Sequence, residues 1–371
     1  MKSYTLSTIK PGIFFSKPVY LDKEFLLLTP EMQVTEKMIE ALNLWGYKEI
    51  FSNGELRNSF VPEDGPLTDT FLSNDAKELT KVEGFLNDFQ KYVEDLFTEA
   101  ALSNMLEPDT VIKKVQELLD LVREKRIFVL RVLMNLKQTT QNYLVCHTVK
   151  SSIIALVIGL YLKLPTHQLI ELGIAAVVHE IGMIKIPPQV YMSRHPLMQQ
   201  EKRAILAHPV LGCDFLKFSG FSVRVCTAVL EHHERENGSG YPQRKTGDRI
   251  GLYAKIIAIA CSYDALTADR PHKEFKDGFM SMLDLLKNEN KRYDERVIRA
   301  LVCSLSLYPI GSYVLLSNNK TGQVIDVKPE TPRYPIVQVF NEMTPDRQNV
   351  VLETARDGVF ITKIISREAI A

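Results

Sequence analysis

From Asn74 onward, for about 230 residues, apolar side chains recur every three to four positions. Phe85, Phe89, Val93, Leu96 and Phe97 share one helical face, and Val111, Val115, Leu118, Leu119 and Val122 share another. Asn74 or Asp75 suits the cap of the first helix, and Pro108 suits the start of the second. The spacing predicts further helices over 145–164, 168–179, 200–218, 222–233 and 250–266, with the pattern continuing through 276–306. Outside this stretch the apolar runs shorten to strand length. They are Val19-Tyr20, Phe25 to Leu28 and Tyr47 to Phe51 before it, with one helix-spaced segment, Thr35 to Leu44. After it come Tyr313 to Leu316, Gln323 to Val327, Ile336 to Phe340, Val350 to Leu352 and Val359 to Ile365, with a hairpin-like turn at Asn318 to Gly322. The fold class expected is mainly α: an all-helical core flanked by a small N-terminal α+β module and a small C-terminal β module. The boundaries fall at 1–55 for the first module, 56–73 for a linker, 74–138 for a helical stalk or connector, 139–307 for the core and 308–371 for the β tail.

Composition removes whole classes. Of 371 residues, 45% are hydrophobic and 24% charged, which excludes a mostly disordered chain, a collagen and a disulfide-stapled miniprotein. Lys+Arg and Asp+Glu are both 45, so no basic excess points to nucleic acid. The longest uninterrupted apolar candidate, Ile153 to Leu162, is about half of what a membrane span needs. The N-terminus has no signal-peptide pattern. The five cysteines form no CxxC pair and are odd in number, as for reduced thiols in a cytoplasmic protein. The N-terminal module lacks the strand-end Asp pair followed by Thr and Lys that a phosphoacceptor needs. The helices of 74–137 read equally as a dimerising stalk, giving a homodimer, and as helices packed on the core.

Histidine placement is more informative. All 8 lie between His147 and His272. His179-Glu180 ends the apolar segment Ile174 to Val178; such a pair reaches one ion or two neighbouring ions, although alone it reads more readily as a histidine at a helix C-terminus serving the macrodipole. His232-His233-Glu234 runs into Gly238-Ser239-Gly240-Tyr241-Pro242. Adjacent histidines on a helix diverge by about 100° and suit two metals better than one. The glycines allow a tight turn with positive φ, and Pro242 stiffens its exit. Such a loop brings backbone N–H groups close to a phosphate. His208, in a helix with Leu206, Leu211 and Phe215, reads alone as a core histidine, as does His147. His167, His195 and His272 have no partner pattern and read as surface residues. In Asp264-Ala-Leu-Thr-Ala-Asp-Arg270-Pro, with Lys273 following, Arg270 and Lys273 are suited to phosphate oxygens. Basic residues closing a helix are the equal alternative.

Taken together, these strings resemble the HD-GYP branch of the HD superfamily. Its pattern is HD-I-G-K, HP-x-x-G, HHExxxGxGYP and D-x-x-DAL-x-x-DRPY. The corresponding strings here are His179-Glu180-Ile181-Gly182-Met183, His208-Pro209-Val210-Leu211-Gly212, His232 to Pro242, and Asp264 to Pro271. The match covers roughly residues 140 to 310. Lys10-Pro11-Gly12 and Tyr308 to Ser312 look like modules often attached to this family. The resemblance implies an all-α catalytic core and a metal centre, commonly of iron or manganese. It implies hydrolysis of cyclic di-GMP to pGpG or GMP, and protein partners reached through the GYP loop. Carried over residue by residue, it implies His147, His179, Glu180, His208, His232 and His233 as metal ligands, with Cys261 standing at a ligand position. It implies His179 and Glu180 at the reacting centre and Asp264 behind the ligands. Gly240, Tyr241 and Pro242 would shape the substrate loop, and Arg270 and Lys273 would hold phosphate.

Four departures bear on activity. Glu180 replaces the aspartate of the HD pair, and its extra methylene moves the carboxylate by about 1.5 Å. Cys261 replaces an aspartate; its thiolate could ligate a softer metal, or it could be a buried structural thiol, the reading slightly preferred on sequence. Met183 replaces a lysine expected on substrate phosphate, and Lys185 would point elsewhere. Tyr143 replaces the glutamate a third metal would want, which favours two metals. The expected function is a metal-dependent cyclic di-GMP phosphodiesterase in signalling. The alternatives are a degenerate domain that binds the nucleotide or a partner without turnover, and a phosphohydrolase for another nucleotide.

Overall fold

The computed structural model of the chain describes every residue except 1, 18, 22–25, 29–33, 45–46, 58–74, 137–142, 192–197, 268–277, 307, 309, 328–333, 344–348, 355–356 and 366–371. Two compact units result: residues 1–73 grouped with 312–371, and residues 74–311.

In the first unit, β1 (Lys2–Thr5), β2 (Phe14–Phe15), β3 (Val19–Tyr20), β4 (Leu26–Leu28), α1 (Glu36–Leu44), β5 (Glu49–Ser52) and β6 (Leu56–Arg57) form the N-terminal part. One sheet runs β1-β5-β3-β4 and a second pairs β2 with β6. Leu6, Phe15, Val19, Leu28, Leu42 and Ile50 close its core. Leu56 and Arg57, at the expected start of the linker, are thus paired strand.

The second unit is helical: α2 (Asp75–Ser103), α3 (Pro108–Asn135), α4 (Tyr143–Tyr161), α5 (Thr166–Val178), α6 (Pro188–Tyr191), α7 (Gln199–Leu206), α8 (His208–Phe218), α9 (Val223–Glu231), α10 (Leu252–Thr267), α11 (Gly278–Lys287) and α12 (Glu295–Leu305). The C-terminal strands of the first unit follow: β7 (Tyr313–Leu316), β8 (Thr321–Asp326), β9 (Ile336–Met343), β10 (Asn349–Glu353) and β11 (Ile361–Ile365). They form one antiparallel sheet, β10-β9-β8-β7-β11. Asn319, at φ 62°, turns the β7–β8 hairpin where the sequence places a turn.

The centre of the helical unit is α4, buried almost without interruption from Cys146 to Gly159 because its apolar residues surround it rather than forming a stripe. The helices α2, α3, α5, α10 and α12 all pack on it. Residues 75–135 therefore lie against the core. Gly159 lets α5 approach: a Cβ there would stand 2.8 Å from the side chains of Leu169 and Leu172. The segments Tyr143–Tyr161 and Thr166–Lys185 are long and apolar enough to cross a membrane by length and composition, a test that buried core helices also pass, and 72% of each apolar window is buried inside the protein. Isolated polar residues such as His147 and Lys150 interrupt the run without lowering its average enough to disqualify it.

The helix expected over 200–218 is two. Pro209 has no N–H to give to a preceding turn, so the chain breaks at Ala207 and α8 starts at His208, with Pro209 in its first turn. His208 therefore sits at a junction rather than in mid-helix. Behind it, Gly182 of the 3-10 turn Ile181–Lys185 touches α8 so closely that a Cβ would lie 2.0 Å from the His208 carbonyl oxygen and 2.7 Å from the Gly212 nitrogen. The glycines of the two sequence strings HEIG and HPVLG are thus two sides of one contact.

Alanine at two glycines should act with opposite signs. Gly182→Ala overpacks this contact at a cost of about 1–3 kcal/mol, lowering the melting temperature by several degrees. Gly84→Ala, exposed in α2 with no atom within 4 Å of its Cβ, gains up to about 1 kcal/mol of helix propensity. Calorimetry of both variants reads the difference.

Candidate metal centre

Three histidines stand at helix ends, and each end treats its histidine alike. The last carbonyls of a helix lack intrahelical donors. His179, after α5, approaches the Ala176 carbonyl through Nδ1 at 2.7 Å. His232, after α9, approaches the Val229 carbonyl at 2.6 Å. His208, after α7, approaches the Ile205 carbonyl at 2.7 Å. A carbonyl only accepts, so each Nδ1 carries the hydrogen and the neutral ring leaves Nε2 bare. The macrodipole role considered for His179 is met by one nitrogen, while the other is aimed inward.

The bare nitrogens converge. His208 Nε2 and His232 Nε2 are 3.1 Å apart. Two lone pairs at that distance require a cation, either a shared proton or a metal ion. His233 completes this corner, its ring centroid 4.1 Å from that of His232 and 5.0 Å from that of His208. The second corner is made by His147 of α4, His179 and Cys261 of α10, with Cys261 Sγ 3.2 Å from His179 Nε2. Each corner has its donor atoms within 4.8 Å of one another, Glu180 counting with the first.

Glu180 lies between the corners. Its Oε2 is 3.4 Å from His208 Nε2; its Oε1 is 3.6 Å from His179 Nε2 and 3.8 Å from His147 Nε2. The extra methylene therefore leaves one carboxylate oxygen facing each corner. Burial pushes Glu180 up, but His208, His179 and His147 outweigh it and bring the carboxyl down to about 2. Cys261 behaves similarly: burial raises it, and the His179 and His147 rings bring it down to about 6. Burial drives His232 and His233 well below the ordinary imidazole range, and neighbouring histidines reinforce the shift. Burial opposes protonation of His147 and His179 too, but Asp264 and Cys261 for the former, and Cys261 and Glu180 for the latter, raise them.

The donor set is of the kind that holds metal ions. Ions held about 2.1–2.3 Å from such ligands have donor–donor edges of about 3.0–3.6 Å, the range of the closest separations here. Asp264 adds a further sign. Its Oδ2 accepts from His147 Nδ1 at 2.6 Å, while its Oδ1 is buried without a partner. This carboxylate turns His147 Nε2 toward Glu180, as outer carboxylates do for metal-binding histidines. Cys261 and Asp264, three apart on α10, thus address His179 and His147 from one helix face.

The other sequence candidates fall as follows. Tyr241 stacks on His233, centroids 4.7 Å apart at 20°, and its N–H donates to the His233 carbonyl. Gly238 has the expected positive φ of 74°, whereas Gly240 does not. Gly240 is required instead by space: a Cβ would lie 2.4 Å from the His233 carbonyl oxygen. Pro242 is half-buried beside Tyr241 in the chain. Met183 is buried, and Lys185 is turned to the Asn104 side chain and the face of Phe215. Tyr143 stacks over His147, centroids 6.0 Å apart. His167 is exposed. Arg270, Lys273, His195 and His272 lie outside the described residues.

Two glutamates escaped the sequence reading. Buried Glu234 accepts the N–H groups of Gln243 at 2.6 Å and Lys245 at 3.0 Å, anchoring the far side of the Gly-Tyr-Pro loop. Buried Glu231 accepts from the Lys245 ammonium and from Gly251 N–H. Their signal was a glutamate on each flank of His232-His233, in a string otherwise read for metal ligands.

Residues 131–297, within the helical unit, match the family described as HD domain. The cyclic di-GMP phosphodiesterase PdeB of Borreliella burgdorferi is 23% identical over 375 residues, spanning 94% of this chain and 92% of that protein. A cyclic di-GMP phosphodiesterase of Pseudomonas aeruginosa is 31% identical over 62% of this chain, a match covering 53% of its own length. The solved structure of Bd1817, an HDG"Y"P protein of Bdellovibrio bacteriovorus, superposes with a TM-score of 0.50 at 14% identity, covering 81% of this chain and 97% of that one, and shows a shared fold.

Asp264→Asn retains the shape but weakens the hold on His147. It should lower the affinity for divalent metal about 10- to 100-fold in chelator competition, while the far-ultraviolet circular dichroism stays native.

Proposed function

We propose that this HD-domain chain is a metal-dependent phosphodiesterase that hydrolyses cyclic di-GMP to pGpG or GMP in second-messenger signalling. The observation that carries the reading is Glu180, one oxygen facing His208 and the other facing His179 and His147. The relatives named as cyclic di-GMP phosphodiesterases supply the substrate class. His208, His232 and His233 would hold one divalent ion, His147, His179 and Cys261 a second, with Glu180 shared. Iron and manganese are the metals implied by the family resemblance. Such a pair supplies Lewis acidity toward a phosphoryl oxygen and a water acidified to near-neutral pKa.

The chain's own residues do the positioning. Helix-end carbonyls hold His179, His208 and His232 with Nε2 directed inward. Asp264 does the same for His147. Tyr241, stacked on His233, forms a wall beside the centre, and Glu234 holds the loop that carries it. Arg270 and Lys273 would neutralise phosphate oxygens, Arg270 by its planar fork. The same loop is the surface offered to a protein partner. The five buried free cysteines fit a reducing compartment such as the cytoplasm.

A second reading is favoured by one observation. Met183 occupies the position of the phosphate-contacting lysine and is buried, and Lys185 is directed away. That leaves one fewer cation for the developing charge and suits a domain that binds cyclic di-GMP with slow or no turnover.

Anaerobically purified protein supplied with iron or manganese should contain about two ions per chain and release pGpG or GMP. Glu180→Gln should lower the metal content and cut turnover about 100-fold or more. Two ions with nucleotide bound and no product would establish the second reading. Full turnover by Glu180→Gln would remove Glu180 from the centre.

A further inference from the structure

The two corners differ in chemistry. His208, His232 and His233 bring three imidazoles, to which Glu180 Oε2 adds a carboxylate oxygen. His147 and His179 bring two imidazoles and Cys261 a sulfur, with Glu180 Oε1 facing them. Thiolate favours zinc and other soft or borderline ions, whereas carboxylate and water suit manganese and magnesium. Manganese also stands at the weak end of the divalent affinity order.

The placement of the sulfur argues against an incidental buried thiol. Three elements aim donors at this corner: α4 through His147, the end of α5 through His179, and α10 through Cys261. Cys261 Sγ lies 3.2 Å from His179 Nε2, a nitrogen left bare by the bond from His179 Nδ1 to Ala176. One helical turn along, Asp264 fixes His147 and keeps a buried carboxylate oxygen without a partner. That oxygen supplies further negative charge for a cation. The other four cysteines are also buried, but Cys261 alone among the described residues belongs to a group of convergent metal-type donors.

We infer that the centre is chemically asymmetric: Cys261 ligates through sulfur, so the His147–His179–Cys261 corner takes zinc or iron(II) in preference to manganese, while the His208–His232–His233 corner accepts manganese. This rests on the two-ion reading above and adds the identity preference of each position. On binding, the Cys261 thiol gives its proton to solvent and its sulfur lone pair to the metal.

Cobalt(II) titration of the metal-free full chain tests this without recourse to activity. The wild type should bind two ions and develop a near-ultraviolet sulfur-to-cobalt charge-transfer band with one of them. Cys261→Ser should lose the band and weaken one site about tenfold or more, leaving the other unchanged. Zinc titrated into the manganese-loaded wild type should displace one manganese per chain at lower zinc than the other, leaving about one of each at the first plateau. Cys261→Asp should hold manganese in both positions. Two bound cobalt ions with no charge-transfer band in the wild type would overturn the sulfur ligation while leaving the two-ion centre standing. Failure to bind cobalt at all would overturn both. Because the band and the mixed metal content are read on the wild type, a poorly folding variant does not decide the outcome.

Discussion

The bonds from histidine Nδ1 to the open carbonyls at the ends of α5, α7 and α9 determine what the rest of the helical unit can do. A helix end needs donors for its last carbonyls, and an imidazole supplies one while keeping a second nitrogen free. In His179, His208 and His232 this fixes the tautomer and aims Nε2 at a common point. The core then contains several buried imidazoles, a carboxylate and a thiol, an arrangement that is costly unless charges are matched. The matching is uneven. Raised His147 and His179 face the anions Cys261, Asp264 and Glu180, whereas His232 and His233 are driven toward neutrality. Bound cations replace protons in such a set, so metal binding and the folded geometry support each other.

The scaffold meets this demand by close packing. α4, apolar all round, runs through the centre and carries His147 in its first turns. Gly182 and Gly212 let the turn after Glu180 approach the start of α8, so Glu180 and His208 come together through backbone contact rather than long side chains. Glu234 accepts from Gln243 and Lys245 within the loop after His233, and Glu231 of α9 holds Lys245 and Gly251. The sheets of the other unit have their own apolar interiors, and among the described residues none of theirs belongs to the donor groups.

Much of this was legible from pattern. The helices expected between 145 and 266 lie within two or three residues of their limits, apart from the break at Ala207, because strong apolar periodicity survives any packing; the short α6 has no such signal. The break itself was written in Pro209, but the surrounding Leu206, Leu211 and Phe215 continued the helical spacing across it. The strings HHExxxGSGYP and HEIG marked the site. His147 and His208 could not be recruited on sequence alone, since a single histidine in an apolar run looks the same as a core residue until distant helices meet. On sequence Cys261 reads slightly in favour of a structural thiol for the same reason, because the contact that bears on it is with His179, 82 positions away. Gly240 showed the limit of residue-type reasoning: glycine was expected for a positive φ, and the requirement is room for the His233 carbonyl. The residues of 268–277, which contain Arg270 and Lys273, stay with the sequence expectation.

In the proposed function one carboxylate, Glu180, separates two metal positions. Anomalous X-ray diffraction from crystals of the metal-loaded full chain tests it directly. Two anomalous peaks are expected, one among His208, His232 and His233 and the other among His147, His179 and Cys261, with a Glu180 oxygen toward each. A single peak, or a pair of peaks with Glu180 turned away from both, would contradict it.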